Sequence, residues 1–268
     1  MGIEAATRLR RVAEGRFVWD VPDHWQQGRG AWGGLVAAGV ARAVELTEPS
    51  AERSLRTLSL HLPAPLPAGP AAVRVSALRV GSGLSTWTVS VEDAAGDVCA
   101  HGVVLTGRAR VPELAEAART WPTAVVPDLP AWTDVAPLSA ELPGMPTFLQ
   151  HLELRVVEGM PLLGARARCL GYVRFPDQGA WDAAQLLAVV DAWYPTVLTV
   201  LDTMRPLATV TYAAHLLVDP STIPASEPLG YEARMAGTTN GFTTETRRLW
   251  TPDGRLAVEN HQSILVIA

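Results

Sequence analysis

The sequence predicts an α+β fold built of two tandem units, each a central helix wrapped by an antiparallel sheet. Three observations predict it. An apolar helix followed by a run of short strands occurs twice, hairpin turns recur at matching places in the two runs, and a Pro-rich stretch separates them. The chain has 268 residues, 48% hydrophobic and 18% charged, enough apolar material for a core of that size.

The first helix spans Gly33 to Val44 and is apolar nearly all round, the pattern of a helix buried on most faces. Strand chemistry follows at Leu55 to Leu62, Ala72 to Val80, Ser85 to Glu92 and Val98 to Thr106, with turns at Gly81-Ser82-Gly83 and Ala95-Gly96-Asp97. Between 111 and 145 lie Pro112, Pro122, Pro127, Pro130, Pro137 and Pro143, the composition of a connector that packs over a surface. The order then returns: strands at His151 to Val157 and Ala165 to Arg174, an apolar helix opening near Trp181, and strands at Leu207 to Leu217, Leu229 to Met235, Thr243 to Trp250 and Leu256 to Ile267. From helix start to last hairpin turn the two runs extend from Gly34 to Gly96 and from Asp182 to Gly254, 62 and 72 residues apart. The expected units are therefore 10–110 and 146–268, joined by the connector 111–145. Their sheets should meet edge to edge with both helices on one side, because each half alone would leave an open sheet edge. Two unrelated α+β domains are the alternative.

Composition removes several function classes. Twenty-two basic against 27 acidic residues give a net charge of −5 with no basic tract, so neither a nucleic-acid nor an anionic-membrane footprint is expected, and a small-molecule substrate is. All the basic residues are Arg, which excludes lysine Schiff-base chemistry, pyridoxal phosphate and a P-loop. Cys99 and Cys169 are far apart and fit a reducing cytoplasm better than a disulfide framework or thiolate zinc site. Met1 to Glu4 does not read as the basic start of a leader, Ala6 stands where a myristoylation signal wants Ser or Thr, and Asp191 and Pro195 interrupt the best candidate membrane span. His24, His61, His101, His151, His215 and His261 show no ligand spacing, no GxSxG elbow occurs, and the glycine pairs Gly28/Gly30 and Gly81/Gly83 read as turns. No metal and no cofactor is expected.

Chemistry concentrates in the second half. The segment from Trp181 to Trp193 places Asp191 in the middle of an otherwise apolar helix. A carboxylate so surrounded is either hydrogen-bonded or has a raised pKa, and both suit a general base or a water-holding group. The competing reading is that Pro195 breaks the helix, leaving Asp191 to cap a following segment or turn to solvent. In the last strand Asn260 and Gln262 share one face while Glu259, His261 and Ser263 share the other. Thr209 and Thr211 are expected on one common face of their strand.

These residues resemble the acyl-CoA thioesterase II family of tandem double hotdog proteins. The first half carries Gly30-Ala31-Trp32-Gly33-Gly34-Leu35-Val36, similar to the family's opening of the first hotdog helix, and His61-Leu62-Pro63-Ala64-Pro65, similar to its FLRP strand end. The second half carries Ala208-Thr209-Val210 and Thr251-Pro252-Asp253-Gly254-Arg255-Leu256-Ala257-Val258 leading to Gln262. Where the family continues Asp-His-Ser, this chain has Thr211-Tyr212-Ala213. The resemblance implies hydrolysis of an acyl-CoA thioester by water held by Asp191, Thr209 and Gln262, with Asp191 as the base, and a homodimer is the assembly to test. Gly33 and Gly34, opening a helix, could present backbone N–H groups to the substrate's developing oxyanion. The first helix has Ala38, Gly39 and Val40 where the second has Asp191, so one site per chain is expected. Two rivals are a hydratase or dehydratase of the same fold, whose GDxNPxH loop is missing here, and a non-catalytic acyl-thioester-binding protein with Asp191 as a satisfied core carboxylate.

Overall fold

The computed structural model describes residues 1–110, 124–139, 145–164, 166–176, 179–225 and 227–267. A short helix α1 (Ile3–Ala6) precedes the hairpin β1 (Leu9–Ala13) and β2 (Arg16–Val21), then a small ladder of β3 (Gln26–Gln27) and β4 (Gly30–Ala31). Helix α2 (Gly33–Thr47) leads into β5 (Arg53–His61), β6 (Gly69–Val80), β7 (Leu84–Glu92) and β8 (Val98–Arg108). The second half contributes β9 (Glu153–Glu158), β10 (Arg168–Arg174), α3 (Ala183–Val189), β11 (Leu207–Leu216), β12 (Leu229–Thr239), β13 (Phe242–Trp250) and β14 (Leu256–Val266).

One 12-stranded sheet runs in the order β1-β2-β6-β7-β8-β5-β11-β14-β13-β12-β10-β9. Read outward from the centre, the sheet has the same topology in both directions. The halves join through antiparallel β5 and β11, with Ser59 opposite Ala213. Even the irregularities repeat: β5 and β11 carry bulges at Arg56 and Val210, β6 and β12 at Leu78 and Ala236, and the pairing shifts after Val91 in β7 and after Leu249 in β13. Two unrelated domains would not share three bulge positions. The repeat therefore holds as a duplication joined edge to edge, with α2 and α3 packed against each other on one face.

Each helix is placed by its sequence. Ten of the fifteen α2 residues are buried, as its continuous apolar text requires. Gly34 permits the close approach to α3, since a Cβ there would lie 2.5 Å from the Ala188 carbonyl oxygen. The start of α3 is fixed by a capping box in which the Asp182 carboxylate accepts from the Gln185 N–H at 2.9 Å and the Gln185 amide oxygen accepts from the Asp182 N–H at 3.0 Å.

Two expectations need correction. Helix α3 ends at Val189, so Asp191 lies in the turn beyond it rather than mid-helix; the break before Pro195 is real, but the side chain turns inward. The strands β1 and β2, outside the four read in the first half, complete its outer edge. Of the connector, 111–123 and 140–144 lie outside the described residues. Its described part is strapped to the sheet: Arg155 Nη1 donates to the carbonyls of Trp132 and Val135 at 2.7 and 2.9 Å, the guanidinium sits 4.0 Å from the Trp132 ring centroid, and the Tyr172 hydroxyl donates to Pro130 at 2.6 Å.

Candidate active site

The structure brings Asp191, Gln262 and Thr209 into one hydrogen-bonded cluster at the start of α2. Asp191 and Gln262 are 7% and 2% exposed. Gln262 Nε2 donates to Asp191 Oδ1 at 2.7 Å and to Asn260 Oδ1 at 3.0 Å, as the shared strand face requires. The Thr209 hydroxyl donates to Gln262 Oε1 at 3.3 Å. The turn itself is anchored by Trp32, whose indole N–H donates to the Asp191 backbone carbonyl at 2.9 Å.

Thr209 and Thr211 do not share a face. The bulge at Val210 resets the alternation, so that Thr209 pairs with buried Ile264 and Thr211 with outward Ser263. Thr211 accepts from the Ser263 N–H on the outer surface, while Thr209 points to the helix side. Gly33 and Gly34 open α2 directly against the carboxylate. A Cβ on Gly33 would lie 2.8 Å from Asp191 Oδ2, and the Gly34 N–H favours the charged form of the Asp191 carboxyl. The helix start thus binds the carboxylate as it would any anion.

Two further residues complete the cluster, and the sequence reading missed both. Arg247, 1% exposed, donates from Nη1 to Asp191 Oδ1 at 2.8 Å and from Nε to Glu245 Oε1 at 2.5 Å. Glu245 in turn accepts from the Thr196 N–H and hydroxyl through Oε2 at 2.6 and 2.5 Å. The available signal was alternation along β13: Thr243, Glu245 and Arg247 share the inward face with Leu249, where charged residues are rare unless paired. Burial pushes the Asp191 carboxyl above its ordinary pKa; Arg247, the Gln262 amide and the Gly34 N–H oppose that rise, and Glu245 adds to it. Among the described residues no group of three or more His, Cys, Asp or Glu side chains is gathered that could hold a metal ion.

The duplication supplies an internal control. Matching the bulges of the two halves sets Leu55 against Thr209, Trp87 against Glu245, Val89 against Arg247 and Val104 against Gln262, all four apolar and buried. Matching Ala31-Trp32 to Ala180-Trp181 sets Arg42 against Asp191 and Asp182 against Gly33. Arg42 indeed reaches the start of α3, where its Nη2 pairs with Asp182 at 2.5 Å. Arg42, rather than Ala38, Gly39 or Val40, therefore occupies the equivalent place. The polar cluster is confined to one of the two related positions.

Two helix-and-sheet units fused through their central strands define a double hotdog. The N-terminal domain of acyl-CoA thioesterases matches residues 21–107 and the C-terminal domain matches residues 122–266. The chain belongs to the acyl-CoA thioesterase family. Among solved structures it is similar to a hot dog fold protein of unknown function from Alicyclobacillus acidocaldarius, with TM-score 0.89, 24% identity and coverage of 99% of this chain and 98% of that chain. The tesB protein of Mycobacterium avium subs paratuberculosis matches at TM-score 0.80 and 15% identity, covering 99% and 98%. Acyl-CoA thioesterase II TesB2 from Mycobacterium marinum matches at 0.77 and 16%, again covering 99% and 98%. At these identities the likenesses establish the fold. No curated protein matches the sequence.

Proposed function

We propose that this chain hydrolyses an acyl-CoA thioester to the free acid and CoA at the Asp191 cluster. The observation that carries the reading is a buried carboxylate joined to Gln262, and through it to Thr209, at the open end of α2. Family membership supports an acyl-CoA as the substrate class.

In this mechanism Asp191 takes a proton from a water molecule while Gln262 and Thr209 fix the line of approach. The water oxygen bonds to the thioester carbonyl carbon, and the carbonyl electron pair moves onto oxygen. First-turn N–H groups of α2, that of Gly33 among them, stabilise this oxyanion, while the Gly34 N–H steadies Asp191. Collapse of the tetrahedral intermediate breaks the C–S bond, and Asp191 returns its proton to the departing thiolate. Because general-base assistance is worth about 10²- to 10⁴-fold, loss of one group should be decisive. Two free, buried cysteines fit a cytoplasmic setting in which the chain acts on fatty acyl thioesters. Release of free thiol from a panel of acyl-CoAs, followed with a disulfide reagent, tests the reading. Turnover of at least one chain length supports it, and no thiol release across the panel overturns it.

A further inference from the structure

We propose that Arg247 and Glu245 are positioning residues for Asp191: Arg247 fixes Oδ1 and favours the charged carboxylate, Glu245 limits how strongly it does so, and Oδ2 is left as the oxygen that meets water. The proposal rests on the hydrolytic reading of the same site.

Oδ1 accepts two hydrogen bonds, from Arg247 at 2.8 Å and Gln262 at 2.7 Å, so its acceptor capacity is largely used. Oδ2 instead lies against Gly33, where the missing side chain leaves room. With Oδ1 bound twice and the start of α2 packed against the other side, the carboxylate is held against rotation, and Oδ2 presents a fixed lone pair. Arg247 cannot move to release Oδ1, because its Nε is bound to Glu245, which is bound twice by Thr196 at the start of the following turn. The chain of contacts runs from the Asp191 turn through β13 and back to the segment after that turn, closing a loop around the carboxylate.

The electrostatic balance follows from the same geometry. One guanidinium serves two carboxyl groups in a buried site. Among the described residues the other titratable groups facing it are Tyr212 on β11, Tyr231 on β12 and Cys169 on β10, and burial raises all three pKa values well above their ordinary range, keeping them neutral. Arg247 draws the Asp191 carboxyl toward ionisation, and Glu245, sharing that guanidinium, works against it. The two side chains therefore have opposite effects on Asp191.

The test is the protonated-carboxyl infrared band of Asp191, identified by its loss in Asp191→Asn and followed against pH together with the acid limb of kcat/KM. The band does not require turnover. Arg247→Gln should move its midpoint up by about one pH unit or more, and Glu245→Gln should move it down, with the acid limb following each. Midpoints that stay put, or that shift in the same direction, overturn the proposal. Should Arg247→Gln fail to fold, the sign of the shift in Glu245→Gln still decides. Opposite midpoint shifts in a protein that releases no thiol from acyl-CoA would sustain the ionisation control while removing the hydrolytic reading; unmoved midpoints in an active enzyme would do the reverse.

Discussion

Gly33 and Gly34 stand side by side yet are constrained by different neighbours. Gly34 is needed where α2 meets α3, whereas Gly33 leaves space for Asp191 Oδ2. Gly33→Ala should therefore lower kcat by about tenfold or more by displacing the carboxylate, since small misplacements are costly in oriented catalysis. An unchanged kcat would show that Oδ2 is not the working oxygen. Gln262→Ala should cost more than Thr209→Ala, because Gln262 touches Asp191 directly and Thr209 only through Gln262. The order of the two kcat losses, from single-variant kinetics, checks this; the reverse order would contradict the connectivity. At this scale Asp191 was legible as a carboxylate with no polar neighbours in sequence. The choice between Thr209 and Thr211 was not, because one bulged residue inverts the alternation on which a face assignment depends. Arg247 and Glu245 were hidden for a different reason: in text, charged strand residues resemble an outward face, which outweighs the alternation they share with Leu249 until their pairing with Asp191 and Thr196 is seen.

The elements α3 and the connector strap each depend on a few polar contacts. The capping box at Asp182 offers two of the backbone and side-chain bonds that begin α3, so Asp182→Ala should lower stability by about 1 kcal/mol. Its ion pair with Arg42 is partly exposed and should add little. Thermal unfolding checks the loss; kcat should be unaffected, since the cap lies at the end of α3 away from Asp191. Arg155→Ala should free the strap by removing two carbonyl contacts and the stacking on Trp132, making residues 128–138 more susceptible to limited proteolysis while turnover is kept. Unchanged nicking would mean that the apolar contacts hold the strap by themselves. The strands beginning at 55, 72, 85 and 98 were readable to within a few residues because their alternation faces a core. Strand β1 was not, because it is exposed along almost its whole length at the sheet edge and alternation has no core to report; β2 does alternate, with Phe17, Trp19 and Val21 buried, and went unread although its signal was present. Helix α3 was overextended for a similar reason: the turn after Val189 is as buried as the helix, so apolar text runs past the real end.

For the whole molecule, duplication explains both the symmetry of the sheet and the asymmetry of its chemistry. The two central strands pair with each other, so residues 1–120 alone would expose the β5 edge and should not give a folded, cooperative monomer. The repeat was legible in the element order, whereas its register needed the shared bulges. A cluster at only one of the two related positions predicts one molecule of a non-hydrolysable acyl-CoA analogue bound per chain, measured by titration calorimetry; two would show that the Arg42 position also takes substrate. The claim on which the rest depends is that Asp191 is the base, and Asp191→Asn tests it most directly. Asparagine keeps the shape and cannot accept the proton. With kcat for acyl-CoA hydrolysis and melting temperature measured on the same preparation, kcat should fall by about 10²-fold or more in a protein that still folds. A variant that is destabilised but turns over at close to the normal rate would contradict it.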